Sequence, residues 1–446
     1  EEADKARIEE TQQRLLAQTA NQQALDALES FTSDLMKDLL GSRTEINAVE
    51  RKVLIDALRQ WETFANSKGD SIEAQKMRAQ GANNLALIQF RLGMIPEAVE
   101  SDQQAVDIWK NLFDSHPNDK EFQKRLAINY QNLGGSLRES GRRADAAVNF
   151  QNAVQLFTTL SDHDPTDVDA RSRLARAWIS VGNVRRDLGN YDDSVAAYSQ
   201  ALEVQQELID RDPDNDSLKK SKAGCLWQLA TVSFQQRQND KTSTYYQQAI
   251  AEFESLAAKN PNDKERAFEL AKLNSEYGVT LSDFQQDEAS IIYLEKALEI
   301  HRQLADAFPS IENYSYELAR TLRNTANTLR YLKRLDESAD CIKQSVEVFT
   351  RLTEKNDSVL KYHSGLGLSF RILAELQYDQ GLADESLGSL NRSIETLVKT
   401  YQRDTTHTPV QIQLAKGYQV RAELLNKLQR FVEAVADWEQ ALKFCR

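Results

Sequence analysis

The sequence predicts an all-α fold, a right-handed α-solenoid built from helical hairpins of 48 residues. Of the seven prolines, Pro117, Pro165, Pro213, Pro261 and Pro309 are spaced 48 residues apart. A fixed period in this range is typical of repeat architectures. Residues 71–446 give eight copies on this period without insertion or deletion. Apolar residues make up 41% of the chain and charged residues 28%, which indicates an ordered chain rather than a disordered one.

Small residues define each copy. Four columns, which begin at Ala79, Ala86, Ala98 and Ala105, contain only Ala, Gly, Ser or Thr in all eight copies. A spacing of seven keeps two small residues on one helix face, and a spacing of twelve crosses a turn into a second helix. Because small residues let helix backbones approach closely, each copy is predicted to be a hairpin. Both of its helices should have about 20 residues.

Larger residues recur between the small columns. The aromatic members include Tyr130 and Trp178 in first helices and Phe150 and Tyr198 in second helices. Because they repeat in register, packing in a core explains them better than a cofactor pocket. The hairpin turns carry glycines for which a positive φ is predicted: Gly93, Gly141, Gly189 and Gly381.

The predicted organisation has a lead-in and eight hairpins. Residues 1–70 should form a helical lead-in and an atypical N-terminal capping hairpin, with an apolar stripe from Ile8 to Leu39 and a second helix at 44–67. The hairpins are predicted at 71–118, 119–166, 167–214, 215–262, 263–310, 311–358, 359–406 and 407–446. The chain begins at Glu1 rather than Met, so we expect it to be processed or excised from a longer protein.

The repeat resembles a known family. The segment Trp178-Ile179-Ser180-Val181-Gly182, followed by Gly189, Tyr191, Ser194, Tyr198, Ala201 and Leu202, resembles the tetratricopeptide repeat (TPR). The resemblance covers residues 71–446, although the usual unit has about 34 residues. It implies a non-catalytic scaffold that binds peptide or helical segments of other proteins in a concave groove, as a TPR superhelix does.

A second resemblance concerns the whole chain. The acidic lead-in, including the stretch from Val49 to Leu58, is similar to the lead-in of the C-terminal TPR arrays of bacterial membrane-anchored serine/threonine kinases. That similarity implies, as an alternative, a regulatory or sensor module of such a kinase. The sequence has no Gly-rich loop, HRD or DFG motif, so this segment is predicted not to be an enzyme itself.

Charge and composition exclude other partners and cofactors. A net charge of −13 disfavours nucleic acid as the main partner. No apolar run approaches the ~18 residues of a membrane span, so this segment should not insert directly into a membrane. The sequence does not distinguish a cytoplasmic segment from one that an upstream helix tethers to a membrane. No cofactor or metal site is predicted, because the five histidines are scattered and Cys225, Cys341 and Cys445 lie far apart.

The candidate binding residues lie on first helices, where they should face the groove. The peptide-binding set comprises Arg320, Arg323, Asn324, Asn327, Arg330, Arg371 and Lys416. The first five are spaced to share one helix face, and Arg side chains suit carboxylate or phosphate groups. The set would favour an acidic ligand. In the alternative interpretation, these arginines pair with acids such as Glu375 on the adjacent hairpin.

The resemblance adds detail to this set. TPR proteins that hold a terminal carboxylate use a basic residue with an Asn four positions later, which Arg323 and Asn327 match. Ile372 and Val420 stand where other polar members would be, so a complete clamp is not expected. A secondary groove patch comprises Asn132, Arg176, Asn183, Arg186, Trp227 and Phe234. A third functional alternative is structural self-assembly, because the last copy ends within its second helix and this end could pack on another subunit.

Overall fold

A computed structural model describes residues 48–66, 69–405 and 408–444, with isolated positions between 7 and 32. These residues form 17 α-helices and no strand. The predicted stripe from Ile8 to Leu39, apart from Leu28, lies outside the described residues, and so does Cys445. No described helix combines the length and apolar character needed to cross a bilayer. The chain therefore has the predicted all-α solenoid fold.

The helices come in pairs after α1 (Ala48–Ala65). The first helices of the hairpins are α2 (Ile72–Arg91), α4 (Lys120–Glu139), α6 (Val168–Asp187), α8 (Asp216–Gln235), α10 (Lys264–Asp283), α12 (Glu312–Tyr331), α14 (Leu360–Asp379) and α16 (Thr408–Lys427). The second helices are α3 (Ile95–Ser115), α5 (Arg143–His163), α7 (Tyr191–Arg211), α9 (Asn239–Lys259), α11 (Asp287–Ala307), α13 (Leu335–Lys355), α15 (Ala383–Arg403) and α17 (Phe431–Phe444). First helices have 20 residues and second helices 21, apart from the 14 described residues of α17.

The chain divides into two compact units, residues 1–252 and 253–446, with the boundary inside α9. Within each unit, consecutive helices pack together, as α4 does with α5 and α5 with α6. First helices also contact the first helix of a neighbouring hairpin: α4 contacts α6 in the N-terminal unit, and α12 contacts α14 in the C-terminal unit. Each unit therefore has a surface lined by consecutive first helices, called here the first-helix face.

Polar side chains fix the starts of several first helices. Asp119, Asp167, Asn215 and Asp263 each accept a hydrogen bond from a backbone N–H in the first turn of the helix that follows. Such caps satisfy donors that have no partner within the helix and typically contribute about 1 kcal/mol each. The polar loops between hairpins thus terminate one hairpin and start the next.

The turn inside each hairpin needs a left-handed residue. Gly93, Gly141, Gly189 and Gly381 have φ between 77° and 81°, which confirms the prediction made for them. The equivalent positions in the other hairpins hold Arg237, Gln285, Lys333 and Gln429, with φ between 59° and 61°. The turn geometry is therefore kept in all eight hairpins, even where the residue has a Cβ that disfavours it.

The small columns have two physical roles. Gly182 lies under the ring of Tyr198, where an added Cβ would come within 2.6 Å of Cε1. Ser194 donates a 2.7 Å hydrogen bond to the carbonyl of Gly182, and the equivalent serines in α11, α13 and α15 make the same bond at 2.7 Å. Serine is thus small enough for the close crossing and also ties the second helix to the first.

The lead-in contacts the first hairpin. Trp61 of α1 is fully buried in a cluster that includes Leu54, Ile88 and Leu28. Its indole Nε1 donates a 3.0 Å hydrogen bond to the hydroxyl of Thr32, which donates in turn to the carbonyl of Leu28. The outer side of α2 is therefore covered by apolar side chains of the lead-in rather than by solvent.

Candidate functional site

The predicted basic set lies in the C-terminal unit, on α12, α14 and α16. The five α12 residues, Arg320, Arg323, Asn324, Asn327 and Arg330, are called the α12 patch. Asn324 and Asn327 line a cavity of about 620 Å³, which is also lined by Asp283 and Asp287. Arg330 instead lines a separate cavity of about 310 Å³. The two cavities thus take five of the seven predicted residues, and Arg320 and Arg323 line neither.

Arg330 and Arg371 are held by two acids of α14. The Nη2 of Arg330 donates to Glu375 at 2.9 Å, and its Nη1 donates to Asp379 at 3.0 Å. Arg371 Nη1 also donates to Glu375, at 2.5 Å. The four side chains are largely buried and their charges balance. Arg330 therefore pairs across hairpins, as in the alternative interpretation, and tightens the contact between α12 and α14. Arg371 pairs with Glu375 of its own helix.

Arg323 has a different environment. It is half-buried, and none of its guanidinium nitrogens forms an ion pair with a described carboxylate. Its one hydrogen bond is a long contact of 3.4 Å to Asn324 Oδ1. Burial and, to a smaller extent, the charge of Arg320 lower the pKa of Arg323 to about 10. Arg320 itself is paired with Glu317 at 2.7 Å. Arg323 is therefore a cation that lacks a counter-ion on the first-helix face.

The two asparagines of the α12 patch are oriented by arginines. Arg330 Nη2 donates to Asn327 Oδ1 at 3.2 Å, and Arg323 donates to Asn324 Oδ1. Because both carbonyl oxygens are engaged, both amide Nδ2 groups are left as donors beside the cavity. Arg323 and Asn327 thus keep donors for an anionic or carbonyl group, in keeping with the spacing that the sequence showed.

Lys416 lies on α16 beside the smaller pocket. It is exposed and has no ion pair within the described part of the chain. The pocket also contains Tyr378 and Lys427, whose ammonium lies 4.4 Å from the centroid of the tyrosine ring. Cationic groups on α16 therefore border the pocket that Arg330 and Arg371 close from the other side.

The secondary patch forms part of a groove in the N-terminal unit. Asn132, Arg176 and Asn183 line a cavity of about 570 Å³ on α2, α4 and α6. Asn132 Nδ2 donates to Asn83 Oδ1 at 2.7 Å, and the hydroxyl of Tyr198 donates to Asn183 Oδ1 at 2.7 Å. Side-chain amides thus bridge hairpins across the first-helix face and keep further donors and acceptors open.

The other members of the secondary patch lie outside this cavity. Arg186 donates to Gln228 and lies 3.5 Å from a carboxylate oxygen of Asp187. Trp227 and Phe234 are half-buried on α8 and do not line the cavity. The structure therefore brings three of the six residues together.

Asp102 was not among the predicted residues, yet it lines the same cavity. Its side chain is nearly inaccessible, and its Oδ2 accepts a 2.6 Å hydrogen bond from Ser136. Burial raises the pKa of Asp102 to about 7, although the hydrogen bond from Ser136 opposes this shift. The signal that could have found it is the 48-residue column, since Phe150 and Tyr198 follow at the same register.

In the described residues, neither a metal-ligand cluster nor the Cys225 thiol supplies a reactive group. No cluster of three or more His, Cys, Asp or Glu side chains there could hold a metal ion. Cys225 is buried and donates to the carbonyl of Tyr198, and burial raises its pKa to about 12. A thiol in that state is not a nucleophile at neutral pH.

One segment of the chain matches a known family model. A family model described as a tetratricopeptide repeat matches residues 175–208, which lie in α6 and α7. No curated protein matches the chain. The apo form of the quorum sensor NprR from B. thuringiensis is 12% identical, with a TM-score of 0.52, over 94% of this chain and 99% of that one.

Two further solved structures are similar at lower TM-scores. Aspartyl phosphate phosphatase F from Bacillus subtilis is 12% identical, with a TM-score of 0.47, over 89% of this chain and 91% of that one. A tetratricopeptide repeat protein from Parabacteroides merdae is 12% identical, with a TM-score of 0.37, over 71% and 93%. The chain therefore contains a segment that matches a tetratricopeptide repeat, within a fold of repeated helical hairpins that is similar to that of NprR.

Proposed function

We propose that the chain is a non-catalytic scaffold that binds peptide segments of other proteins on its first-helix face. The α12 patch would take an acidic ligand. The scaffold could serve as the regulatory module of a larger kinase, which is the alternative that the resemblance of the lead-in implies. NprR is named as a quorum sensor, and a sensing role would likewise need a site for a ligand.

The observation that carries this proposal is the unpaired charge of Arg323. A half-buried guanidinium without a counter-ion is unfavourable in the free protein, because its charge is partly removed from water. A ligand carboxylate would restore the missing pair, and the Nδ2 groups of Asn324 and Asn327 would donate to it or to a neighbouring peptide carbonyl. The paired Arg330 and Arg371 would shape the groove rather than supply free charge.

Fluorescence anisotropy can test the proposal with two labelled probes. One is a dodecapeptide of alternating Glu and Ser, and the other has Gln in place of Glu. We expect the acidic peptide to bind more tightly, with an affinity that falls as salt rises. Arg323→Gln should lower this affinity about tenfold. Arg351→Gln is the control, because Arg351 is an exposed arginine on the second helix α13.

The outcomes separate the two parts of the proposal. Binding of neither peptide to the wild-type protein would reject a groove for acidic segments. Equal affinity of wild type and Arg323→Gln for the acidic peptide would instead remove Arg323 from the site. Circular dichroism of both variants checks that their helices remain folded.

A second candidate function, self-association, is favoured by α17. Five large apolar residues of this helix are exposed: Phe431, Val432, Val435, Trp438 and Leu442. Trp438 is 40% exposed, whereas Leu390 at the same register of the previous hairpin is 1% exposed. A contiguous apolar surface of this kind is typical of an interface. We propose that a second copy of the chain covers it.

Sedimentation at increasing protein concentration tests this candidate. We expect the wild-type mass to rise above that of the 50.7 kDa monomer, and Val432→Glu with Leu442→Glu to keep it monomeric. Val148→Glu is the control, because Val148 is an exposed apolar residue on α5. A wild-type protein that stays monomeric at high concentration would contradict self-association.

A further inference from the structure

Asp102 stands where the other hairpins have a large apolar side chain. At the same register, 48 residues apart, the chain carries Phe150, Tyr198, Tyr246, Leu294, Ile342, Leu390 and Trp438. Asp102 is only 3% exposed, so the first hairpin buries a carboxylate at a core position. A carboxylate is smaller than a ring or a branched chain and does not fill this site. The 570 Å³ cavity lies there, lined by Asp102, Ala86, Ser136 and Phe150.

The hydrogen bonds of Asp102 are incomplete. Ser136 donates to Oδ2, but Oδ1 accepts no hydrogen bond within the described residues. No described Lys or Arg nitrogen lies within ion-pair distance of this carboxylate. Burial accordingly raises its pKa to about 7. A buried carboxylate with a free oxygen beside a cavity is a group that lacks its cation.

The fixed charges around the cavity do not supply that cation. Arg138 is bound by Asp187 at 2.5 Å, and Arg173 is bound by Asp169 at 2.9 Å. Arg176 and Glu139, both exposed, carry opposite charges on the rim. Asp187 and Asp169 are each shared with a second cation, Arg186 and Lys124. The rim therefore carries a small net positive charge, and its paired arginines are held by carboxylates outside the cavity lining.

The lining also suits a peptide backbone. The bond from Asn132 to Asn83 leaves Asn132 Oδ1 as an acceptor and Asn83 Nδ2 as a donor, both on the first-helix face. An extended peptide presents N–H and C=O groups in alternation, which such amides can pair. A backbone held there could direct a side chain or its own terminus into the cavity.

We propose that this cavity binds an alkylammonium group of a bound peptide, with Asp102 as its counter-ion. The group is either a lysine side chain or a free N-terminal amine, since both carry the same charged nitrogen. The inference rests on the proposed peptide-binding function, but its site lies in the N-terminal unit and does not involve Arg323. The first hairpin thus selects a positive group, whereas the α12 patch selects a negative one.

A bead library of random hexapeptides tests the specificity. Half of the beads carry acetylated N-termini and half carry free ones, and selection is run on wild type, Asp102→Asn and Asp102→Leu. Lysine enrichment among acetylated peptides selected by wild type identifies the side chain as the ligand. Enrichment of free termini without lysine identifies the N-terminal amine. Both preferences should disappear with Asp102→Asn, which keeps the size of the side chain but removes its charge.

Calorimetry of the strongest selected peptide supplies a second readout. The proposal predicts that binding at about pH 6 releases up to one proton per peptide, since Asp102 is largely protonated in the empty cavity and ionised beside an ammonium. This release is measured as a binding enthalpy that depends on the ionisation enthalpy of the buffer. Asp102→Asn should abolish the release and weaken the peptide about tenfold or more.

The controls separate this site from the α12 patch. Arg323→Gln should leave the lysine preference and the proton release unchanged. Asp102→Leu, which restores the apolar residue of the column, should fold at least as stably as wild type and lose the preference. The inference is wrong if wild type and Asp102→Asn select the same peptides, or if no proton is released. If Arg323→Gln alone loses binding of the acidic peptide, that result concerns the proposed function and does not bear on the Asp102 site.

Discussion

The ring of Tyr198 lies directly over Gly182, so close that a methyl group on Gly182 would come within 2.6 Å of ring carbon Cε1. The contact joins the two helices of one hairpin, α6 and α7. It shows why this column of the repeat accepts only Gly or Ala. In the second, third and fifth hairpins, the side chains of Phe150, Tyr198 and Leu294 cover a glycine of this column in the same way. The fourth hairpin has Ala230 at this position and Tyr246 at the opposing one.

Gly182→Ala should destabilise the protein although alanine favours a helix more than glycine does. The gain in helix propensity is about 1 kcal/mol, and overpacking of the ring should cost about 1–3 kcal/mol. Gly224→Ala is the matched control, since Gly224 of α8 has no atom within 4 Å of an added Cβ. We expect urea midpoints to fall for the first variant and rise for the second. A rise for both would contradict the close-crossing argument.

Asp102→Leu should stabilise the protein, and more at neutral than at acidic pH. The folded-state pKa of Asp102 is raised to about 7, so the protonated form favours the folded state. This contribution is fully present below the unfolded pKa near 3.8 and is lost as pH rises through 7, a loss on the order of 4 kcal/mol. The stability gap between variant and wild type should therefore widen from about pH 4.5 to about pH 7.5. A gap that does not change with pH would exclude a raised pKa.

His301→Phe should show the opposite dependence on pH. His301 is fully buried with no hydrogen-bond partner for either ring nitrogen, and Phe253 and Phe349 occupy the same register. Burial and, to a smaller extent, the charges of Arg320 and Lys272 lower the pKa of His301 to about 3.

The neutral imidazole thus favours the folded state, and stability is lost as pH falls from about 6.5 towards 3. The gap between His301→Phe and wild type should widen towards acid, in the same thermal melts that test Asp102→Leu. Each variant serves as the control for the other. Gaps that widen in the same direction would show that one of the two pKa directions is wrong.

Lys333→Gly should stabilise the sixth hairpin. Lys333 has a φ of 61° in the turn between α12 and α13, a position that is glycine in four other hairpins. Relief of the left-handed strain should contribute about 1 kcal/mol, partly offset by the greater freedom of glycine in the unfolded chain. Gly189→Ala is the reciprocal variant and should lose stability by a similar amount. Denaturant midpoints measure both, and a shift of the same sign in both would contradict the argument.

The backbone was predictable because it depends on the columns. Small residues at fixed spacing leave few ways to pack two helices, so helix lengths and the glycine turns followed from the sequence. The left-handed Arg237 and Lys333 did not, because a residue with a Cβ gives no signal of positive φ. The regularity of the neighbouring turns imposes that conformation on them.

The candidate binding site was less predictable than the backbone, because a surface arginine can reach several carboxylates. The spacing placed Arg323 and Arg330 on one face, but it could not show that Glu375 and Asp379 engage only Arg330 and Arg371. The difference depends on side-chain reach between hairpins. Asp102 differs from this case, because it departs from a column that is apolar from Phe150 to Trp438, and that departure is itself a sequence signal.

The equal length of the hairpins has a genetic consequence. Because every first helix begins 48 residues after the previous one, a crossover between misaligned copies of the coding sequence would add or remove whole hairpins. In the recombined protein, a polar loop would still connect each hairpin to the next. The number of hairpins can then change in a single event, and single substitutions can afterwards alter the surface of one hairpin without changing the others.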